Sequence, residues 1–195
     1  MAWRHGRGGR ADGPPRRGSD DQRAGGDAGD YAGRFVGPGG AVLTVAADGP
    51  ALTLSEGDRR GRLRAIDDGG FVSDLAGRDF YTLDFGGVAG RRDRLWYGEM
   101  LFGRDGAPAQ PASDPALAAL AGTYLSNDPW IGESVVVARG DTLIVDGAGP
   151  VLRAPDGSWR FADPQSTERL WFDRPIGGRP QRLNLSGASQ WRTAV

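Results

Sequence analysis

The chain of 195 residues contains no cysteine, no lysine and a single histidine, His5. The missing cysteine removes disulfide scaffolds, thiolate metal sites and cysteine nucleophiles together. All 24 basic residues are arginine, so no lysine is available as a base, a Schiff-base former or a phosphate-loop cation. A Ser-His-Asp triad needs a histidine in the folded body, whereas His5 lies in a Gly/Arg-rich leader. Only oxygen ligands remain for a metal, and no Asp-x-Asp-x-Asp-Gly loop occurs, so neither metal nor cofactor is expected. No apolar run approaches about 18 residues, which rules out a membrane-spanning helix. With 24 basic and 25 acidic residues the net charge is near zero, too little for a strong DNA-binding field.

Glycine, by contrast, is abundant, with 33 residues. Average usage is near 7%, so the excess points to many turns and an all-β chain. Residues 1–29 hold almost nothing but Gly, Arg, Asp, Ala and Pro. Such a segment buries too little apolar surface to offset its backbone entropy, and it reads as a disordered tail. Its RHGRGGR run raises an RNA-associated alternative, although Asp12, Asp20, Asp21 and Asp27 dilute the charge.

From Tyr31 onward, short apolar runs alternate with Gly, Asp and Pro. They include 41–45, 51–54, 80–85 and 94–97, then 134–137, 142–145, 170–172 and 182–185. Asp-Gly pairs at 48–49, 105–106, 146–147 and 156–157 tolerate the positive φ of tight hairpins and argue for antiparallel neighbours. One helix stands out: Asp114 as N-cap, Pro115 in the first turn, an alanine-rich filling and a terminating Gly122. Ahead of it, 105–115 reads as a linker.

The two halves resemble each other. Ala32-Gly33-Arg34-Phe35-Val36 matches Ala121-Gly122-Thr123-Tyr124-Leu125, and Leu52-Thr53-Leu54 matches Leu143-Ile144-Val145. Thr44-Val45 aligns with Val136-Val137, Arg62-Leu63-Arg64 with Val151-Leu152-Arg153, and Gly70-Phe71 with Ser158-Trp159. Tyr81-Thr82-Leu83 aligns near Leu170-Trp171-Phe172, Arg94-Leu95 with Arg182-Leu183, and Leu101-Phe102-Gly103-Arg104 with Gln190-Trp191-Arg192. A period near 90 residues marks a duplicated domain rather than a solenoid. Each copy, 30–104 and 116–195, divides into about eight short strands. Closure into a small barrel would remove the exposed edges, so two tandem eight-stranded antiparallel barrels are expected, with one larger shared barrel as the rival. Leu52 and Leu54, like Leu143 and Val145, sit two apart and face the barrel interior.

Chemistry is sparse. Asp67-Asp68 reads as a polar turn, since adjacent strand residues point to opposite faces, and nothing places Glu99 beside Glu133. No catalytic residue is nominated. The aromatics are mostly core filling, and four remain as candidate partner or ligand contacts: Trp96, Tyr124, Trp130 and Trp171. Trp130 leads them because it lies in the loop 126–130, which is inserted in the second copy.

The run Ala116-Leu117-Ala118-Ala119-Leu120-Ala121-Gly122-Thr123-Tyr124, with the Val135-Val136-Val137, Leu143-Ile144-Val145 and Leu170-Trp171-Phe172 strands that follow, resembles a known group of domains. These are the lipocalin-like C-terminal accessory barrels of serine hydrolases related to penicillin-binding proteins and class C β-lactamases. Some relatives, such as D-aminopeptidases, carry two in tandem. The likeness spans about residues 31–195 and is clearer in the second half. It implies a non-catalytic module that shapes substrate access or assembly for a serine hydrolase catalytic domain, in cis or in trans. The family's Ser-x-x-Lys, Tyr-x-Asn and His/Lys-x-Gly elements have no counterpart, so no catalytic residue carries over. A barrel acting as a cup for a small hydrophobic ligand is the alternative. The lysine-free, Arg/Ala/Gly-heavy usage resembles that of bacterial genomes of high G+C content.

Overall fold

The computed structural model describes residues 27–66 and 69–193. The RHGRGGR run with His5, and the pair Asp67-Asp68, lie outside that range. The expected tail reached residue 29, but the folded body already includes Asp27. Its side chain accepts from Gly29 N at 3.1 Å and caps a short helix, α1 (Ala28–Tyr31).

Sixteen strands follow in two closed antiparallel barrels. The first comprises β1 (Gly33–Val36), β2 (Val42–Asp48), β3 (Ala51–Glu56), β4 (Arg59–Ala65), β5 (Phe71–Ser73), β6 (Leu83–Val88), β7 (Arg91–Tyr97) and β8 (Met100–Gly103). The second comprises β9 (Gly122–Leu125), β10 (Glu133–Arg139), β11 (Thr142–Val145), β12 (Gly149–Arg153), β13 (Trp159–Phe161), β14 (Arg169–Ile176), β15 (Arg179–Leu185) and β16 (Ala188–Arg192). In each barrel the last strand pairs back onto the first, at Val36↔Gly103 and at Trp191↔Leu125. A second helix, α2 (Pro115–Leu120), joins them, and the Asp114 carboxylate accepts from Ala116 N at 2.8 Å. The N-cap and the first-turn proline thus work as their residue types suggest.

Period-2 burial explains why these segments close. Leu52 and Leu54 face the first interior, and Leu143 and Val145 the second. The first interior is filled by aromatics: Tyr31 packs edge-on to Phe71 and Phe85, and Phe35 edge-on to Phe85. Edge-to-face rings bury large areas in a favourable geometry, so this barrel is a packed core.

Three details depart from the sequence reading. The run 80–85 is strand only from Leu83; Phe80 and Tyr81 lie in the preceding turn, where Tyr81 packs edge-on against both Phe80 and Tyr97. Gly106 has φ 137 but sits in the linker rather than in a hairpin. The repeat alignment also slips. Gly33 opposes Val45 and Gly122 opposes Val136, so Val45 corresponds to Val136. By the same argument Leu63 corresponds to Val151 and Leu83 to Leu170. Ser134 through Ala138 are buried on both faces, so the apolar run alone does not fix which residue points inward.

The corrected register exposes an exchange between the copies. Phe102 opposes Leu95 in the first barrel, and Gln190 opposes Leu183 in the second. Gln190 is 0% exposed, and neither its Oε1 nor its Nε2 finds a partner among the described residues. Leaving both amide groups unmatched costs about 1–3 kcal/mol each. Gln190→Leu is therefore expected to stabilise the protein, raising the urea midpoint; an unchanged or lower midpoint would show that the amide is satisfied in solution.

Candidate functional site

The repeated Ala-Gly-x-aromatic motif builds a latch in each barrel. Arg192, at the end of β16, lies over the Tyr124 ring at 4.9 Å, and Arg104, just after β8, over the Phe35 ring at 5.2 Å. Arg104 donates to the carbonyls of Arg92 and Asp30, both at 2.9 Å. Arg192 donates to Pro180 O and Ala121 O, both at 2.7 Å, and to Ala119 O at 3.0 Å, so it ties the last strand to the C-terminal end of α2. A Cβ on Gly33 would stand 2.9 Å from the Arg104 guanidinium, and one on Gly122 would overlap Arg192. The glycine lets the arginine lie close, and the aromatic two residues on provides the plate beneath it.

These contacts decide where the four candidate aromatics stand. Tyr124 is fully buried, donates to Leu120 O at 2.7 Å and accepts from Arg192 Nη2 at 2.5 Å. Its ring and hydroxyl are committed to the latch and are not presented to solvent. Burial pushes the Tyr124 hydroxyl up to about 12, against a smaller opposing pull from Arg192. The folded protein thus holds this proton more tightly than the unfolded chain. The associated stability is fully present below about pH 10 and is lost as pH rises through about 12, by about 2 kcal/mol at pH 12. Denaturation followed from pH 9 to pH 12 should show this loss in the wild type, and Tyr124→Phe should lack it.

Trp96 lies at the seam between the barrels, with the Arg139 guanidinium 5.2 Å over its ring. Arg139 projects from the end of β10 onto the outer face of the first barrel. Its Nε donates to Gly98 O at 2.7 Å and its Nη1 to Asp84 Oδ2 at 2.7 Å. The side chain is 7% exposed, and Nη2 has no partner among the described residues. Beside it, Asp146 accepts from Thr82 N at 2.9 Å and Thr82 Oγ1 at 2.7 Å. Burial raises the Asp146 pKa, the Thr82 hydrogen bonds oppose this, and the Asp84 charge adds to the rise. The linker adds to the joint. Gln110 accepts from Leu101 N at 2.8 Å and donates to Leu101 O at 2.7 Å, while Asp114 N donates to Gly140 O at 2.9 Å. The segment read as a spacer is thereby fastened to both barrels.

A cleft of about 280 Å³ opens along the seam. Its walls are Ile66, Phe85, Ile144 and Pro150 with several glycines, and its charged lining is Asp84 and Arg139. None of these residues was nominated from the sequence. The one available signal was an arginine ending a strand buried on both faces.

Trp171 and Trp130 face outward, 38% and 94% exposed. The loop backbone that carries Trp130 is well held. The Trp130 backbone N–H donates to Asp128 Oδ1 at 2.9 Å, Asp128 N donates to Ser126 Oγ at 3.0 Å, and Ser126 N closes the loop onto Gly132 O at 2.9 Å. The equivalent connection in the first barrel, 37–41, is shorter than 126–132 and carries no aromatic.

Glu99 and Glu133 are both exposed, and no group of three or more His, Cys, Asp or Glu able to hold a metal occurs among the described residues. No described helix is long and apolar enough to cross a membrane. The chain matches no family model, no curated protein and no solved structure.

Proposed function

We propose that this chain is a non-catalytic accessory module, two barrels held as one body, that docks onto a serine hydrolase catalytic domain of the β-lactamase-related type and shapes its substrate access or assembly. The observation that carries the reading is Trp130, a large aromatic presented almost entirely to solvent on a loop stiffened by its own hydrogen bonds. Tryptophans presented on an ordered backbone supply much of the energy of protein interfaces, and the loop incurs little ordering cost on binding. The filled interior of the first barrel favours a surface function over a ligand cup. Without lysine the chain has no Ser-x-x-Lys chemistry of its own, which fits a module serving an enzyme supplied in cis or in trans.

Native electrophoresis of source-cell extract, probed with an antibody against residues 31–195, tests the reading. The wild-type chain is expected in a species that contains a serine hydrolase catalytic domain. A partner held in trans is expected to be released by Trp130→Ala. A wild-type chain that migrates alone contradicts the proposal, as does ester, amide or β-lactam hydrolysis by the purified chain that is abolished by substituting one of its own residues.

A further inference from the structure

The seam cleft is a second feature, independent of the Trp130 loop. Both barrels build it: Ile66, Gly69, Gly70, Asp84 and Phe85 from the first, and Arg139, Ile144 and the 147–150 turn from the second. Mostly apolar walls with a few convergent polar groups are the usual make-up of a small-molecule site.

The polar groups specify what would fit. Arg139 is nearly closed off, with Nε and Nη1 engaged and Nη2 buried, so it offers an incoming anion no accessible donor. Asp84 is different. Its side chain is 38% exposed; Oδ2 takes the Arg139 bond, and no described residue donates to Oδ1. Oδ1 lies against the Gly70 wall, where a Cβ would stand 2.7 Å away, so glycine at 70 keeps that oxygen uncrowded. Among the described residues, the charges beside the cleft are two carboxylates, Asp84 and Asp146, against one guanidinium, Arg139. Where water is partly excluded, such an imbalance attracts a cation and repels an anion. The chain has no lysine, so none of its own side chains brings an ammonium group to the cleft.

We propose that the seam cleft binds a small amphipathic primary amine, its ammonium group on Asp84 Oδ1 and its apolar body against Ile66, Phe85, Ile144 and Pro150. A cleft of about 280 Å³ that is half open to solvent suits a small, single-ring ligand. Because such a ligand would touch both barrels, its binding would also tighten the joint between them.

Isothermal titration with 2-phenylethylamine, 2-phenylethanol and 3-phenylpropionate tests the proposal on the whole chain. The amine is expected to bind saturably at one site per chain, roughly tenfold or more tighter than the alcohol, with the carboxylate weakest. Asp84→Asn is expected to remove the preference for the amine. Because that change also touches the Arg139 joint, Ala148→Trp on the exposed rim serves as a second variant and is expected to block the cleft while leaving the fold intact. Absence of saturable amine binding, equal binding of amine and carboxylate, or binding unaffected by Ala148→Trp would each overturn the assignment. Any of these outcomes leaves the docking role of Trp130 untouched.

Discussion

Replacing Arg139 by alanine is expected to cost about 3 kcal/mol or more and to split thermal unfolding into two transitions, one for each barrel. The substitution strips Asp84 Oδ2 and Gly98 O of their donor and uncovers the Trp96 ring. Asp84 is 38% exposed and regains water, so the lost ion pair itself accounts for about 1 kcal/mol, and the charged hydrogen bond lost from Gly98 O adds about 1.5–3 kcal/mol. In a chain of this size about 1 kcal/mol moves the midpoint by roughly 2–4 °C, so calorimetry should register a fall of roughly 6–12 °C. Arg139→Lys keeps the charge but loses the planar fork that reaches Gly98 and Asp84 together, and it should fall in between. A single transition within about 1 °C of wild type would mean that the seam carries no energy.

The second large effect is expected at Arg192. Arg192→Met keeps an apolar stem over Tyr124 but removes every donor, leaving the carbonyls of Ala119, Ala121 and Pro180 and the Tyr124 hydroxyl without it. Hydrogen bonds from a charged donor contribute about 1.5–3 kcal/mol each, and in one network they do not add. A loss of about 3–5 kcal/mol follows, seen as a lower urea midpoint for the second barrel. Arg104→Met should cost less, since Arg104 serves two carbonyls rather than a whole helix end. If the Arg104 change proves the more damaging of the two, α2 is not what the latch secures.

Much of this architecture was readable from local chemistry. Asp114-Pro115 announced α2, and Leu52/Leu54 and Leu143/Val145 announced the inward faces, because cap geometry and the period of 2 act over a few residues. The duplicated Ala-Gly-x-aromatic motif located the latch without disclosing it. Its arginines, Arg104 and Arg192, arrive from the other end of each copy's sequence, on or just after the last strand, which pairs with the first. Register failed at β10, where both faces are buried and a one-residue slip leaves the pattern unchanged. The strand expected at 80–85 began late because Tyr81 packs its ring edge-on against Phe80 and Tyr97 from within a turn, with Phe80 left half exposed. The seam was invisible for a different reason. Thr82 and Asp146 lie 64 positions apart, and Asp84 and Arg139 lie 55 apart. Only the relative placement of two closed barrels brings them together, and no local pattern encodes that. Among the candidate aromatics, the sequence separated Trp130 from the rest because its loop is longer than the counterpart 37–41, which carries no aromatic. It had no means to separate Tyr124, whose hydroxyl is consumed by the latch.

Docking through the Trp130 loop is tested most directly by a photo-crosslinking amino acid placed at position 130 in the source cell, with the products identified by mass spectrometry. The account predicts a crosslink from position 130 to a β-lactamase-related serine hydrolase catalytic domain, lost when the same group is placed at the exposed position 152 on β12. Crosslinks only to a second copy of this chain, or only to proteins without such a domain, would contradict it.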